Sequence, residues 1–262
     1  QAGDEDLTML AHAASAQTDF VAGHFDSAAK HAQLCIAHHD PVRQSEYRLM
    51  FGEDPGTICR GVSSWLTWLR GDPGTAESSM EATLGLARSL DHAFTLAQTL
   101  VIAARLYHYM GDVGRVRRVI EEANDISSHH GFPLFVAEAT VWSGWADVME
   151  NNDPSGLDRL QAGVEAYRAS GAEMFVPHHL YLQGEALWHL ADGERALASL
   201  AEARRRASAF GDLDHQVEAL RLSAVILASH SGGRREADDL LREAARLSRE
   251  QGARQLSVRV AV

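Results

Sequence analysis

The sequence has few of the residues that would indicate several common protein classes. Its 262 residues include two cysteines, Cys35 and Cys59, too few for a disulfide framework. It has six prolines, 7% aromatic residues and a single lysine, Lys30. No apolar run approaches the roughly 20 residues of a membrane-spanning helix. We therefore expect reduced thiols, a cytoplasmic location and no membrane partner.

The charge balance argues against a further class, the nucleic-acid-binding proteins. Acidic residues outnumber basic ones by 36 to 24, giving a net charge of −12. Affinity for nucleic acid depends on lysine and arginine neutralising phosphates, so we expect no direct nucleic-acid partner. The hydrophobic fraction of 45% is ordinary for a globular protein. Abundant alanine, leucine, arginine and glutamate favour helices.

Two interleaved series of turn residues show that the chain is periodic. One series has steps of 40, 40 and 41 residues: Gly131, Gly171, Gly211 and Gly252. The other has steps of 40: Gly71-Asp72, Gly111-Asp112, Asn151-Asn152, Ala191-Asp192 and Ser231-Gly232. Between the turns, apolar residues recur at spacings of three and four, as in Leu180, Gly184, Leu187 and Ala191, which indicates amphipathic helices. Each glycine of the first series fits the position just after a helix, where positive φ favours glycine.

The period predicts an all-α fold of six helix–turn–helix repeats. The predicted first helices are 5–22, 56–70, 92–110, 132–150, 172–191 and 212–230. The predicted second helices are 25–39, 73–90, 113–130, 154–170, 194–210 and 233–251. Repeat 1 covers about 4–39, an insertion covers 40–55, repeats 2–6 cover about 56–251, and 252–262 begins a further helix. We expect one α-solenoid domain that forms a right-handed superhelix, since single pairs cannot bury their apolar stripes alone.

Small residues recur where the paired helices must approach each other. They are Ser64, Ala104, Gly144, Gly184 and Ala224 in first helices and Ala76, Gly156, Ala196 and Ala237 in second helices. This pattern resembles tetratricopeptide repeats (TPRs) lengthened from 34 residues to 40. HEAT and armadillo repeats share the length, but the matched small residues favour the TPR interpretation.

Several phrases also resemble one particular TPR family. They are FGEDPGTICRGVSSWLTWLRGDPGTA (51–76), ARSLDHAFTLAQTL (87–100), HHGFPLFVAEATVWSGWA (129–146), GVEAYRASGAEMFVPHHLYLQGEAL (163–187) and REQGARQLSVRVAV (249–262). Their order and spacing resemble the C-terminal TPR region of bacterial multidomain signalling proteins that carry an AAA/STAND-type ATPase with a class III nucleotide cyclase or a LuxR-type regulator. The resemblance implies a non-enzymatic regulatory module that binds a protein, a peptide or an upstream ATPase or cyclase domain.

The catalytic parts of that family are absent from this sequence. There is no G-x-x-x-x-G-K-[ST] phosphate loop, and we expect no cofactor. Gln1 and Val262 look like the ends of a piece of a longer chain, although a short stand-alone relative is an alternative. A small-molecule effector sensor is the second functional hypothesis, and a hydrolytic enzyme is a remote third.

The loop Phe51–Gly61 gathers residues that could form a metal or phosphate site. Glu53 and Asp54 do not provide the alternating ligands of an EF-hand, and they would repel phosphate. We predict a structural joint in which Asp54-Pro55 ends the preceding segment and Gly56 provides a sharp entry to the next helix.

Histidine pairs and arginine runs also have simple structural interpretations. Neighbouring helical residues point in different directions, so His38-His39, His129-His130 and His178-His179 should not each hold a metal ion; we predict solvated helix ends and no metal site. The arginine runs 115–118, 204–206 and 234–235 lie on second helices. We expect solvated surface interleaved with acids, with a docking patch for an acidic neighbour as the alternative.

The tryptophans point to a binding groove on the first helices. In TPR arrays, groove-facing residues lie at fixed offsets from the small packing residue. These offsets predict the following groove set: Trp65, Trp68, Arg105, His108, Trp145, Tyr181, Glu185, Trp188 and Arg221. Aromatic residues and arginines are typical of binding hot spots, but the same rings could instead fill the inner seam of a tight superhelix.

Overall fold

A computed structural model describes residues 2–211, 213, 215–230 and 232–261, with side chains for all but 2–4 and 210. The described residues form fourteen α-helices and no strand. The helices are α1 (Ala2–Val21), α2 (Phe25–His38), α3 (Gln44–Phe51), α4 (Pro55–Leu69), α5 (Pro73–Ser89), α6 (Ala93–Tyr109), α7 (Val113–His130), α8 (Pro133–Asn151), α9 (Ser155–Ala169), α10 (Val176–His189), α11 (Gly193–Phe210), α12 (Gln216–Ala228), α13 (Arg234–Glu250) and α14 (Arg254–Ala261).

The predicted all-α repeat fold is confirmed, and most helix ends agree within two residues. Two first helices start four residues later than predicted, α10 at Val176 and α12 at Gln216. Before α10, Phe175 takes a left-handed conformation with φ of 64°, which ends the irregular segment and delays the helix. The insertion 40–55, predicted only as a break in the period, contains a 3-10 turn, Pro41–Arg43, and the short helix α3. Among the described helices, none combines the length and apolarity needed to cross a membrane.

The predicted turn chemistry is also present. Gly131, Gly171, Gly211 and Gly252 have φ between 68° and 86°, a range that favours glycine. Asp72 caps α5 by accepting a hydrogen bond from the backbone of Thr75, and Asp112 caps α7 in the same way. Asp153 differs from these two caps, because Pro154 directly precedes α9 and Asp153 accepts a hydrogen bond from the backbone of Ser155 instead. Ser231 and the terminal residues 1 and 262 lie outside the described residues.

The chain divides into two compact units. The first unit consists of residues 1–20 and 24–136, and the second consists of residues 21–23 and 137–262. In the first unit, α4 packs on α5, α6 packs on α7, and α4 also contacts α2 and α6. In the second unit, α10 packs on α11, α12 on α13, and α13 on α14.

Glycines allow the closest helix approach in the second unit. A Cβ atom added at Gly144 of α8 would lie 2.4 Å from the carbonyl oxygen of Gly156 in α9. One added at Gly163 would lie 2.6 Å from the backbone nitrogen of Val141. The predicted role of Gly144 and Gly156 in close packing is therefore confirmed, because no side chain fits between these backbones.

Part of the core of the first unit surrounds the two cysteines. Cys35 of α2 and Cys59 of α4 are free and fully buried, with Met9 and Tyr47 in the same apolar cluster. The neighbouring Cys35 thiol and burial raise the pKa of the Cys59 thiol. Because the thiolate is the reactive form, Cys59 is a packing residue at neutral pH.

Candidate functional site

The loop at the start of α4 is a buried joint. Asp54 is fully buried and caps α4, accepting hydrogen bonds from the backbone and hydroxyl of Thr57 at 2.8 and 2.7 Å. Nε2 of buried His39 lies 3.1 Å from Oδ2 of Asp54. Burial opposes ionisation of Asp54, but the bonds to His39 and Thr57 outweigh it and lower the pKa. The backbone nitrogen of Asp54 donates to Thr95 of α6, so Asp54 links three parts of the chain.

Gly56 has a different role from the predicted one. It lies inside α4, and the left-handed glycine of this loop is Gly52, which follows α3 with φ of 75°. A Cβ atom on Gly56 would lie 2.4 Å from the ring of His39. Gly56 is therefore required for the close approach of His39 and not for a sharp turn.

Four groove candidates lie in the first unit, and all four are buried: Trp65, Trp68, Arg105 and His108. The ring centroid of Trp65 is 4.6 Å from that of Phe20 and 5.6 Å from that of Tyr109. Trp68 lies 5.3 Å from Tyr109 on the same measure. The two tryptophans thus form an aromatic seam that fills space within the unit.

The second unit holds the other five candidates: Trp145, Tyr181, Glu185, Trp188 and Arg221. Tyr181, Glu185 and Trp188 follow one another at spacings of four and three along α10, which places them on one helix face. The indole nitrogen of buried Trp145 donates to Glu185 at 2.8 Å. The fold therefore brings Trp145 of α8 to the predicted face of α10.

Charged groups of three helices meet around Tyr181. We call this set the polar cluster: Tyr181, Glu185, Glu218, Arg221 and Arg259. Glu218 of α12 is fully buried and pairs with Arg221 at 3.0 Å and with Arg259 of α14 at 3.2 Å. Burial, Glu185 and Glu218 raise the pKa of Tyr181, so its hydroxyl is neutral. Burial alone would lower the pKa of Arg221, but Glu218 and Tyr181 raise it.

Solvent reaches part of this region. Glu185, Trp188 and Arg221 are half-buried, and the Arg259 side chain is 30% exposed. Of the five tryptophans, Trp188 is the one that is not buried. These half-exposed groups can exchange contacts within the chain for contacts with a partner.

The predictions for three of the six paired histidines are wrong. His178 and His179 were expected at a solvated helix end, but both are fully buried in the first turn of α10. The ring of His178 stacks on that of His215, with centroids 3.8 Å apart and planes 14° apart. Nε2 of His179 lies 3.7 Å from Glu138. His39 is also buried, for the reason given above, whereas His38, His129 and His130 are exposed as expected.

The remaining candidates behave as surface groups. Arg115 pairs with Glu77 and Asp112, and Arg206 pairs with Glu173 and Glu202. The arginine runs 115–118 and 204–206 thus include arginines paired with acids, as predicted. No group of three or more histidine, cysteine or acidic side chains in the described part of the chain is arranged to hold a metal ion.

Comparisons with known proteins support the fold and leave the family open. No protein-family model matches the chain. A protein of Rhizobium meliloti (strain 1021), described only as uncharacterized, is 26% identical over 226 residues. That match covers 86% of this chain and 22% of the relative, so the chain spans less than a quarter of the relative's length.

Solved structures give the fold more directly. The apo form of RapI superposes with a TM-score of 0.55 and 13% identity, covering 96% of this chain and 94% of that one. The TPR2AB domain of yeast Sti1, in complex with pHSP90, gives a TM-score of 0.36 and 13% identity over 97% of this chain and 98% of that one, which is too low to support an argument. The chain thus has a TPR-like helical repeat fold.

Sequence reasoning missed several residues of the polar cluster. Glu218 lies one turn before Arg221 and carries no motif, and Arg259 lies in the last helix, which was predicted only as a beginning. A search for acids three or four residues from each predicted groove arginine would have found Glu218. Nothing in the local sequence indicates that Arg259 reaches it.

Proposed function

We propose that this chain is a non-enzymatic protein-interaction module of a bacterial signalling or transcription-regulatory protein. Its TPR-like fold supports this proposal, because repeat arrays present extended surfaces for binding. Its bacterial relative is several times longer, which supports the presence of adjoining domains; we propose that these include an ATPase, cyclase or regulator domain and that the protein is cytoplasmic. The partner is a peptide segment or such a neighbouring domain.

The observation that carries the proposal is the half-exposed part of the second unit. An indole, a carboxylate and two guanidinium groups lie there on Trp188, Glu185, Arg221 and Arg259. Tryptophan and arginine are the residues that most often dominate binding energy. The buried carboxylate of Glu218 orients both arginines, so their side chains lose less entropy when a partner binds.

The experiment uses peptides selected from a random display library and measures their affinity by fluorescence anisotropy. Trp188→Ala and Arg221→Gln should each weaken binding at least tenfold, which corresponds to about 1.4 kcal/mol. Met174→Ala and Arg205→Gln are matched controls, because both residues are exposed in the same unit. Circular dichroism should show that all four variants fold. Unchanged affinity of both test variants would refute the proposed surface.

The second hypothesis, a small-molecule effector sensor, has a specific observation in its favour. Because the other four tryptophans are buried, a ligand at this surface should change the fluorescence of Trp188 alone. Titration with a metabolite library therefore separates the two hypotheses. A response that disappears in Trp188→Ala would favour the sensor, and a flat response alongside peptide binding would exclude it.

A further inference from the structure

A cleft lies between α4 and α5 in the first unit, away from the groove candidates. Its volume is about 320 Å³, in the range of small-molecule sites. From α4 it is lined by Arg60, Ser63, Ser64 and Thr67. These positions are spaced by three, four and seven residues, so they share one helix face. The wall is thus one guanidinium followed by three hydroxyls.

The residues of the opposite wall have the same spacing along α5. Ser79, Ala82, Thr83 and Leu86 of α5 line it, and Ile36 of α2 adds an apolar contact at one side. No acidic residue lines the cleft. The chain as a whole is acidic, with a net charge of −12. Arg60 is the one charged residue that lines the cleft, so the cleft is selective for an anion.

Arg60 has no partner for its charge. The residue is half-buried, and its Nε atom is fully buried with no hydrogen-bond partner. Its side chain forms no ion pair and no hydrogen bond with any described residue. A guanidinium has five N–H donors, and leaving a buried donor unpaired is unfavourable for folding. Packing therefore gives no reason for an arginine at this position.

The repeat period shows which residue packing prefers here. Positions 40, 80, 120 and 160 residues later are Leu100, Thr140, Leu180 and Leu220, and Leu100 and Leu220 are fully buried. Three of the four equivalents are leucine, and none is charged. Arg60 is thus a departure from the repeat pattern that costs stability in the absence of a ligand.

The fifth repeat shows how an equivalent cleft is closed. Ser199, the equivalent of Ser79, donates to the carbonyl oxygen of Leu180 at 2.8 Å and lies 3.1 Å from Gln183. In the second repeat, the hydroxyls of Ser79 and Ser63 bond to no described residue. Two unpaired hydroxyls therefore lie beside the unpaired guanidinium in the open cleft.

We propose that this cleft binds a short-chain monocarboxylate. The two Nη groups of Arg60 can donate side by side to the two oxygens of a carboxylate, a bidentate geometry that guanidinium groups favour. The hydroxyls of Ser63 and Ser79 supply further donors. One positive charge matches a monoanion better than a dianionic phosphate. Ile36 and Leu86 would contact the short carbon chain.

The test combines calorimetry with NMR of the arginine Nε–H signals. The probes are 3-hydroxybutyrate, its neutral counterpart 3-hydroxybutyramide, and inorganic phosphate, all at constant sodium concentration. We expect 3-hydroxybutyrate to bind and to shift the Arg60 signal, with no binding of the amide and weaker binding of phosphate. Arg60→Gln should weaken binding at least tenfold. Arg70→Gln, which removes an exposed arginine from the end of the same helix, should bind like wild type.

Two further variants keep the proposal falsifiable. Ala82→Trp should block the cleft without removing Arg60, since Ala82 is exposed. Arg60→Leu should raise the melting temperature by roughly 2–4 °C without ligand, as expected for removal of an unpaired charge. Equal binding by Arg60→Gln and wild type, preference for phosphate, or a lower melting temperature of Arg60→Leu would each overturn the proposal.

Discussion

The helix pairs α4–α5 and α8–α9 are related by two repeat periods but pack differently. At their crossing, α4 and α5 carry Ser64 and Ala76, whereas α8 and α9 carry Gly144 and Gly156 at the equivalent positions. The backbones of α8 and α9 touch there, with no room for a Cβ atom. The equivalent Ser64 of α4 carries a side chain, and it lines a cleft of about 320 Å³ bordered by α4 and α5.

A second pair of equivalent residues shows the same difference between the α4–α5 and α8–α9 helix pairs. Thr83 of α5 corresponds to Gly163 of α9, where a Cβ atom would lie 2.6 Å from the backbone of Val141. At both positions, α4–α5 has a hydroxyl-bearing side chain that lines the cleft, where α8–α9 has a glycine in close contact with the neighbouring backbone. The 40-residue period therefore specifies the same fold for both helix pairs, while small residues between the helices decide where a binding cleft can form.

The entries to α4 and α8 are also held by different interactions. The entry to α4 is held by the buried pair His39–Asp54, whereas the residues that enter α8 form an aromatic cluster in which Phe94 lies 5.4 Å from Phe132 and 5.2 Å from Phe135. The first arrangement contains a buried carboxylate, and the second consists of contacts between aromatic rings, including His130 stacked on Phe132.

The largest expected change in the free energy of unfolding comes from exchanging Gly144 and Ser64, the equivalent residues where the paired helices cross. Gly144→Ser should destabilise the protein by about 3 kcal/mol, because the new Cβ atom would force apart two backbones in contact. The reciprocal change Ser64→Gly should cost about 1 kcal/mol, mainly through lower helix propensity. Urea unfolding followed by circular dichroism measures both. Equal costs for the two variants would contradict the contrast in packing.

An intermediate effect is expected at the entry to α4. Asp54→Asn should cost about 1–2 kcal/mol at pH 7, since it removes a charge-assisted bond while keeping a capping side chain. The folded pKa of Asp54 is lowered, so its contribution is present above its ordinary pKa of about 3.9 and is lost as the pH falls through the folded value.

Hydrogen exchange monitors this second prediction. Wild type and Asp54→Asn should converge in stability in strong acid, with α4 amides losing protection first. The control is the aromatic entry of α8, whose amide protection should change less over the same pH range. A stability difference that persists unchanged at low pH would contradict the role of the Asp54 charge.

The smallest expected difference in the free energy of unfolding is between alanine variants of the equivalent residues Ser199 and Ser79. Ser199→Ala should cost about 1 kcal/mol, because it removes hydrogen bonds to Leu180 and Gln183. Ser79→Ala should change stability by less than about 0.5 kcal/mol, since its hydroxyl bonds to no described residue. The measurement is again the free energy of unfolding. A larger cost for Ser79→Ala would show that the cleft hydroxyl stabilises the helix pair.

The groove candidates show how far sequence reasoning extends toward the site. The offsets place Trp145, Tyr181 and Glu185 in one predicted set, and in the structure the indole of Trp145 donates to Glu185 of the same set. They did not distinguish Trp65 and Trp68, which fill a seam, from Trp188, which is partly exposed. That distinction depends on side chains outside the predicted set, such as Phe20 and Tyr109, which cover the first two rings.

Local periodicity, capping and backbone sterics were enough to predict the helical class, the 40-residue period, most helix ends and the left-handed glycines after the second helices, but not the later starts of α10 and α12 or the helix α3. Only the tertiary structure decided that His178 and His179 are buried, that Arg259 reaches Glu218, and that Arg60 has no partner. These properties depend on atoms brought together from distant parts of the chain. Local sequence patterns carry no information about such distances.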